Sequence, residues 1–184
     1  MAVVWLPLAC WGLWAFAAGE FSPSAAGDPR TVWPADTTLR SQANGFTLVV
    51  VLHPECPCSQ ATLTELDTIM TQSRGRLQTD VLCVTYPDLP EPVEQSRIWR
   101  QAAQIAHVTL SRDADGVEAR RFAARTSGEV RLYGPKGKLL FHGGITSGRG
   151  HVGANPGATA VLDIVLNQPN AHPPASTPVF GCSL

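Results

Sequence analysis

The 184-residue chain is short of charge: Lys and Arg number 14, Asp and Glu 15, and all four make up 16%. A net charge of −1 leaves no basic excess for a nucleic-acid partner and no acidic interaction tail. Methionine is scarce too, at Met1 and Met70 only. No Gly-Lys-Ser/Thr run is present, which excludes a phosphate loop. No Ser–His–Asp order or carboxylate pair marks a hydrolase. No repeat or low-complexity tract is visible, since the 16 glycines and 15 prolines are dispersed. The length suits one domain. Five cysteines are too few to staple a chain of this size. Cys56 and Cys58, however, stand one residue apart, and chemistry explains that pair better than stapling.

Residues 1–19 carry no charged side chain, and hold Trp5, Trp11 and Trp14; Glu20 is the first charge. The run lies at the boundary between a spanning helix and a cleavable signal, with Ala15-Phe16-Ala17 as a small-residue cleavage site. An N-terminal apolar helix is therefore expected, acting as transmembrane anchor or signal segment. The rest of the chain then faces the periplasm or cell exterior, membrane-anchored, or secreted if the segment is cleaved. Residues 20–39, rich in Ser, Pro, Ala, Gly and Asp, read as a linker. Residues 40–167 read as the folded domain and 168–184 as a proline-rich tail ending in a cysteine.

Within the domain, Phe46–Leu52 (FTLVVVL) is an apolar, β-branched run, the pattern of a strand buried on both faces. Ser59–Gln72 follows with Leu63, Leu66, Ile69 and Met70 at helical spacing. Asp80–Tyr86 is a second buried strand, so a βαβ unit with parallel strands is predicted. Pro92–His107 reads as a helix with Val93, Trp99, Ala102, Ala103 and Ala106 inward. A brief strand at Val108–Leu110 and a short helix at Val117–Ala124 follow. Val130–Tyr133 and Leu139–His142 flank Gly134-Pro135-Lys136-Gly137 as a hairpin. Ala158–Leu166 is the last helix. The order predicts a three-layer α/β/α sandwich with a mixed central sheet.

His53-Pro54-Glu55-Cys56-Pro57-Cys58-Ser59 joins the first strand to its helix. Function collects at the carboxyl ends of strands in such sheets. A cysteine at a helix N-terminus meets free N–H groups and the positive dipole end, which favour a thiolate. Pro57 suits the first helical position, placing Cys56 at the cap.

Over residues 40–166 the chain resembles the thioredoxin-like superfamily, in its membrane-tethered thiol–disulfide oxidoreductase and peroxiredoxin-like branches. The strand–Cys–helix unit carries the resemblance, together with Asp113–Gly144. The cysteine motif and the terminal TPVFGCSL also resemble a group labelled RedB. The resemblance implies a thioredoxin-like fold in which Thr126-Ser127-Gly128 faces the active cysteine and helps bind substrate. Two departures stand out. The spacing is Cys-x-Cys, so either Cys56 takes the nucleophile place with Ser59 at the second position, or Cys58 takes the second with Glu55 at the first. The facing loop lacks the usual cis-proline.

These readings converge on an extracytoplasmic thiol–disulfide oxidoreductase acting on a protein thiol or disulfide, without a small-molecule cofactor. Cys56 is the expected nucleophile, and Cys58 or Cys182 resolves the mixed disulfide. Thr126, Ser127, Gly128, His53 and Arg149 are the expected substrate-binding residues. Cys83, inside an apolar strand, reads as structural. The tail reaches the site through Pro169, Pro173, Pro174 and Pro178, with Gly181 expected to make a sharp turn. An alternative is copper binding or delivery through Cys56, Cys58, His53 and His151. A third reading is a peroxiredoxin-type peroxidase, although His53 stands where its Thr would be.

Overall fold

The computed structural model describes residues 2–89, 91–168 and 172–184. The tail's Pro169 lies outside them. The apolar run expected to form the central strand does so: β1 (Phe46–Leu52) has its last six residues buried. It alternates Leu48, Val50 and Leu52 toward one face of the sheet and Val49 and Val51 toward the other. β2 (Leu77–Thr85) pairs with it in parallel, placing Leu52 opposite Cys83. β3 (Val108–Ala114) continues the parallel half. On the other side of β1, β4 (Glu129–Tyr133) runs antiparallel, followed by β5 (Leu139–Gly144). The sheet order is β3-β2-β1-β4-β5, a mixed five-stranded sheet.

Three helices cover one face: α2 (Cys58–Gln72), α3 (Arg97–Ala102) and α5 (Pro156–Leu166). They bury Leu63, Leu66, Ile98 and Val161 against Leu48 and Val50, the main hydrophobic contribution to folding. The opposite face receives α4 (Val117–Arg121), with Ala119 and Phe122 packed on Val49, Val51 and Tyr133.

The expected helix over Pro92–His107 is instead two pieces. A 3₁₀ turn spans Val93–Gln95, and Ser96 is extended (ψ 152°) before α3 begins. The break has a local cause: the Ser96 hydroxyl accepts a hydrogen bond from Trp99 N and caps α3. The buried stripe is accordingly Val93, Ile98, Ala102 and Ile105, while Ala103 and Ala106 are exposed.

The segment read as a linker lies along the α4 face. Trp33 stacks edge-on against Phe122 and Tyr133, with ring centroids 5.1 and 5.0 Å away. Thr38 N and its hydroxyl donate to Glu118, at 3.0 and 2.8 Å. α1 (Ala2–Phe21) exposes Trp5, Leu8, Trp11, Trp14 and Phe16. Among the described residues no helix is long and apolar enough to cross a membrane, which corrects the expectation of a transmembrane anchor. α1 has Pro7 inside it and reaches a charge at Glu20.

Candidate functional site

The segment after β1 turns tightly into α2. Cys56 N donates to His53 O at 3.1 Å, and Cys56 O accepts from Ser59 N at 3.0 Å. Pro57 already has helical dihedrals (φ −59°, ψ −31°), and no side chain caps the helix. Cys56 thus precedes the first helical residues, where unpaired N–H groups favour an anion.

Cys56 and Cys58 are both buried, and the tail brings Cys182 to them. The Cys56 and Cys182 sulfurs lie 2.7 Å apart. The three thiols are electrostatically unequal. Burial works to raise the Cys56 thiol, but hydrogen bonds from the Cys182 thiol, from the N–H groups of Cys182 and Cys58, and from the Ser127 hydroxyl outweigh it. The result is a Cys56 thiol below its ordinary value. Cys182 is pushed up to about 12 by burial and by its hydrogen bond to Cys56. Burial and the adjacent Cys56 charge likewise raise Cys58. One thiolate at Cys56, flanked by two protonated thiols, is the arrangement these shifts favour.

The loop Thr126-Ser127-Gly128 stands against the carboxyl end of β1. Gly128 N donates to Val51 O at 2.8 Å. Gly128 has φ +90°, and a Cβ there would meet Thr62 Oγ1 at 2.9 Å, so glycine is required. Ser127 Oγ accepts from His53 N at 2.9 Å and lies 2.8 Å from Ser59 Oγ. Ser59, at the place a second cysteine would take in the preferred register, is fully buried and ties α2 to this loop.

The tail follows a defined path. His142 N donates to Ala175 O, and Thr177 N to His142 O. Ser24 N donates to Val179 O at 2.8 Å. Ser127 N donates to Cys182 O at 2.8 Å, and Leu184 N to Arg125 O at 2.9 Å. Gly181 stands at a bend in the tail, as expected, without a positive φ. Space is what demands glycine there: a Cβ would stand 1.8 Å from Ser127 O.

Arg149 reaches the site from the loop after β5. Its Nη1 donates to Gly181 O at 2.7 Å and its Nη2 to Ser24 Oγ at 2.9 Å. Its charge favours the thiolate forms of Cys58 and Cys182. His151 does not join the cysteines; its ring stacks on Phe21 with centroids 5.1 Å apart. His53 faces Tyr86 at 5.9 Å, and its Nδ1 accepts from Glu55 N. Among the described residues no three His, Cys, Asp or Glu side chains are grouped to hold a metal ion. Cys83 is buried and its thiol is pushed up to about 12, chiefly by burial.

Sequence reasoning missed Ser24 and the Glu129–Arg131 pair. Glu129 Oε2 accepts from Arg125 N and Thr126 N, and its Oε1 from Gly27 N and Arg131 Nη2. This one carboxylate shapes the loop that faces Cys56. Its strand reads Glu-Val-Arg-Leu-Tyr, in which alternating charge signals a solvated face, so no sequence signal marked it.

No family model and no curated protein matches the chain, and the RedB group finds no support. Solved structures do match. A hypothetical protein from Sinorhizobium meliloti 1021 is 17% identical over 88% of this chain and 93% of its own, with a TM-score of 0.62. An uncharacterized conserved protein from Geobacillus kaustophilus is 14% identical over 89% and 91%, with a TM-score of 0.61. A secreted disulfide oxidoreductase of Mycobacterium tuberculosis is 13% identical over 67% and 81%, with a TM-score of 0.48. The chain is an α/β protein with a mixed five-stranded sheet, and thioredoxin-like disulfide oxidoreductases stand among its structural neighbours. At these identities the likeness is one of fold.

Proposed function

We propose that the protein is a thiol–disulfide oxidoreductase acting on protein partners, with Cys56 as nucleophile and Cys182 as resolving cysteine. The carrying observation is the approach of the Cys182 thiol to a Cys56 sulfur whose thiolate is favoured. The Cys56 thiolate attacks one sulfur of a partner disulfide, forming a mixed disulfide and releasing the other sulfur as thiolate. Cys182 then gives up its proton and attacks Cys56 Sγ, which releases the partner's second thiolate. The products are a Cys56–Cys182 disulfide and a partner dithiol, two electrons having passed to the partner. A dithiol of another protein runs the same exchanges backward.

The Arg149 charge eases ionisation of Cys182 during the second step, because it favours that thiolate. Ser127 supports the Cys56 thiolate by hydrogen bonding. Cys58, raised by burial and by the Cys56 charge, serves as a donor to that thiolate rather than as its attacker. We assign the activity to an extracytoplasmic compartment, where disulfides persist. The uncharged residues 1–19 and the exposed apolar side chains of α1 support this.

Exchange with a disulfide-bonded reporter peptide tests the reading. Wild-type protein should release both peptide thiols. Cys182→Ser should stop at the mixed disulfide on Cys56, and Cys56→Ser should not react. Undiminished exchange by Cys56→Ser would overturn the assignment.

A further inference from the structure

Residues Cys182–Leu184 run along the loop facing Cys56, beyond a bend at Gly181. Ser127 N donates to Cys182 O, and Leu184 N donates to Arg125 O. Thr126 and Ser183 form an antiparallel bridge between these bonds. Side chains alternate as in any strand. Cys182 points at Cys56, Ser183 is exposed, and Leu184 packs beside Ala119 and Ala124. A groove of about 330 Å³, lined by Tyr86, Ala119, Ala124 and Arg125 among others, opens next to Leu184.

Resting on the thiol–disulfide reading above, we propose that the Arg125–Ser127 edge recognises partner proteins through an extended Gly-Cys-x-Leu segment. The chain's own tail is the resident occupant that such a segment displaces. Three observations lead there. First, the contacts that hold the tail are mostly to backbone atoms. Gly181 O accepts from Arg149 Nη1 and from Ser24 Oγ, both at 2.7 Å. Any peptide of the same shape can take them, which is how strand addition works. Second, the partner's sulfur must reach Cys56 Sγ, and Cys182 holds that position. Third, selectivity is built in at two places. Ser127 O, 1.8 Å from the Cβ that any residue but glycine would place at position 181, admits only glycine before the cysteine. The contact of Leu184 with the α4 cluster favours an apolar residue two positions after the cysteine.

The test uses the full-length reduced protein and the octapeptide Thr-Pro-Val-Phe-Gly-Cys-Ser-Leu, its cysteine carried as the thionitrobenzoate mixed disulfide. The Cys56 thiolate attacks the peptide sulfur, a Cys56–peptide disulfide forms, and thionitrobenzoate leaves. Thionitrobenzoate release gives the rate, and peptide mapping places the reaction at Cys56, as the peptide adduct or as the Cys56–Cys182 disulfide that follows it, apart from reaction at exposed Cys10. Gly181→Ala expels the tail, and Leu184→Asp weakens its docking by a different route. In either variant the Gly-Cys peptide should modify Cys56 about tenfold faster than the same peptide with Ala before Cys, a difference of ~1.4 kcal/mol. Wild type should react more slowly with the Gly-Cys peptide than either variant. Equal rates for the two peptides in both variants, with free dithiobis-nitrobenzoate still modifying Cys56, would overturn the edge and leave the thiol chemistry standing. Failure of Cys56 to react with any disulfide would overturn both.

Discussion

Glu129 and Arg131 stand two residues apart on β4, both with 0% side-chain exposure, and their side chains meet at 2.8 Å. Arg131 also donates to Phe122 O and Ala123 O, so the pair fastens the turn after α4 to the sheet. Removing one member strands the other charge in the interior. Glu129→Ala should therefore cost about 3–5 kcal/mol, read by urea unfolding. Stability within ~1 kcal/mol of wild type would contradict the structural role.

Cys56 ionisation depends on its donors. Cys182→Ala removes the thiol hydrogen bond, and Ser127→Ala removes the hydroxyl. Both variants should raise the midpoint of the iodoacetamide rate against pH, with Cys182→Ala shifting it more. A midpoint unmoved in Cys182→Ala would mean the tail thiol does not support the thiolate. Ser127→Ala should also lose about 1–2 kcal/mol of stability, because His53 N and Ser59 Oγ lose a partner.

Peptide mapping of air-oxidised protein should show Cys56–Cys182 as the dominant crosslink rather than Cys56–Cys58. That bond joins residues 126 positions apart. Chain-entropy arguments give up to about 5 kcal/mol for so long a loop, so the oxidised protein should melt well above the reduced one. Coincident melting curves would count against the crosslink.

The shape of the sheet was legible because its central strands are buried on both faces, and a run such as FTLVVVL has no other comfortable place. The position of Cys56 followed from the strand–helix junction, and the reach of Cys182 from the length of the tail. Other features hide from the sequence because their partners are distant along the chain. Glu129 looks like a solvated acid until Gly27 and Thr126 are folded over it. Gly181 reads as a turn former and stands at a bend, but what excludes a side chain there is the carbonyl of Ser127. Ser96 breaks a helix that the apolar spacing alone would continue.

Asp80 on β2 is buried, and burial raises its carboxyl to about 6. An unfolded aspartate titrates near ~3.9, so the folded state binds the proton more tightly between those values. Stability should therefore rise as pH falls from 7 through 6 toward 4 at this site. Asp80→Asn should melt higher than wild type at pH 7.5, with the gap closing near pH 4. A gap independent of pH would show that Asp80 is not the titrating group.

Because Cys182 belongs to the same chain as Cys56, its supply at the nucleophile does not depend on solution composition. A flexible tether alone gives an effective concentration of order mM. Pinning by the Ser127 and Leu184 backbone bonds moves it toward the ~10⁵ M of well-oriented intramolecular reactions. Free small thiols at millimolar levels lose that race, and any adduct they leave on Cys56 is cleared by the tail. The site is thereby insulated from the ambient thiol pool while staying open to a partner shaped to lift the tail away.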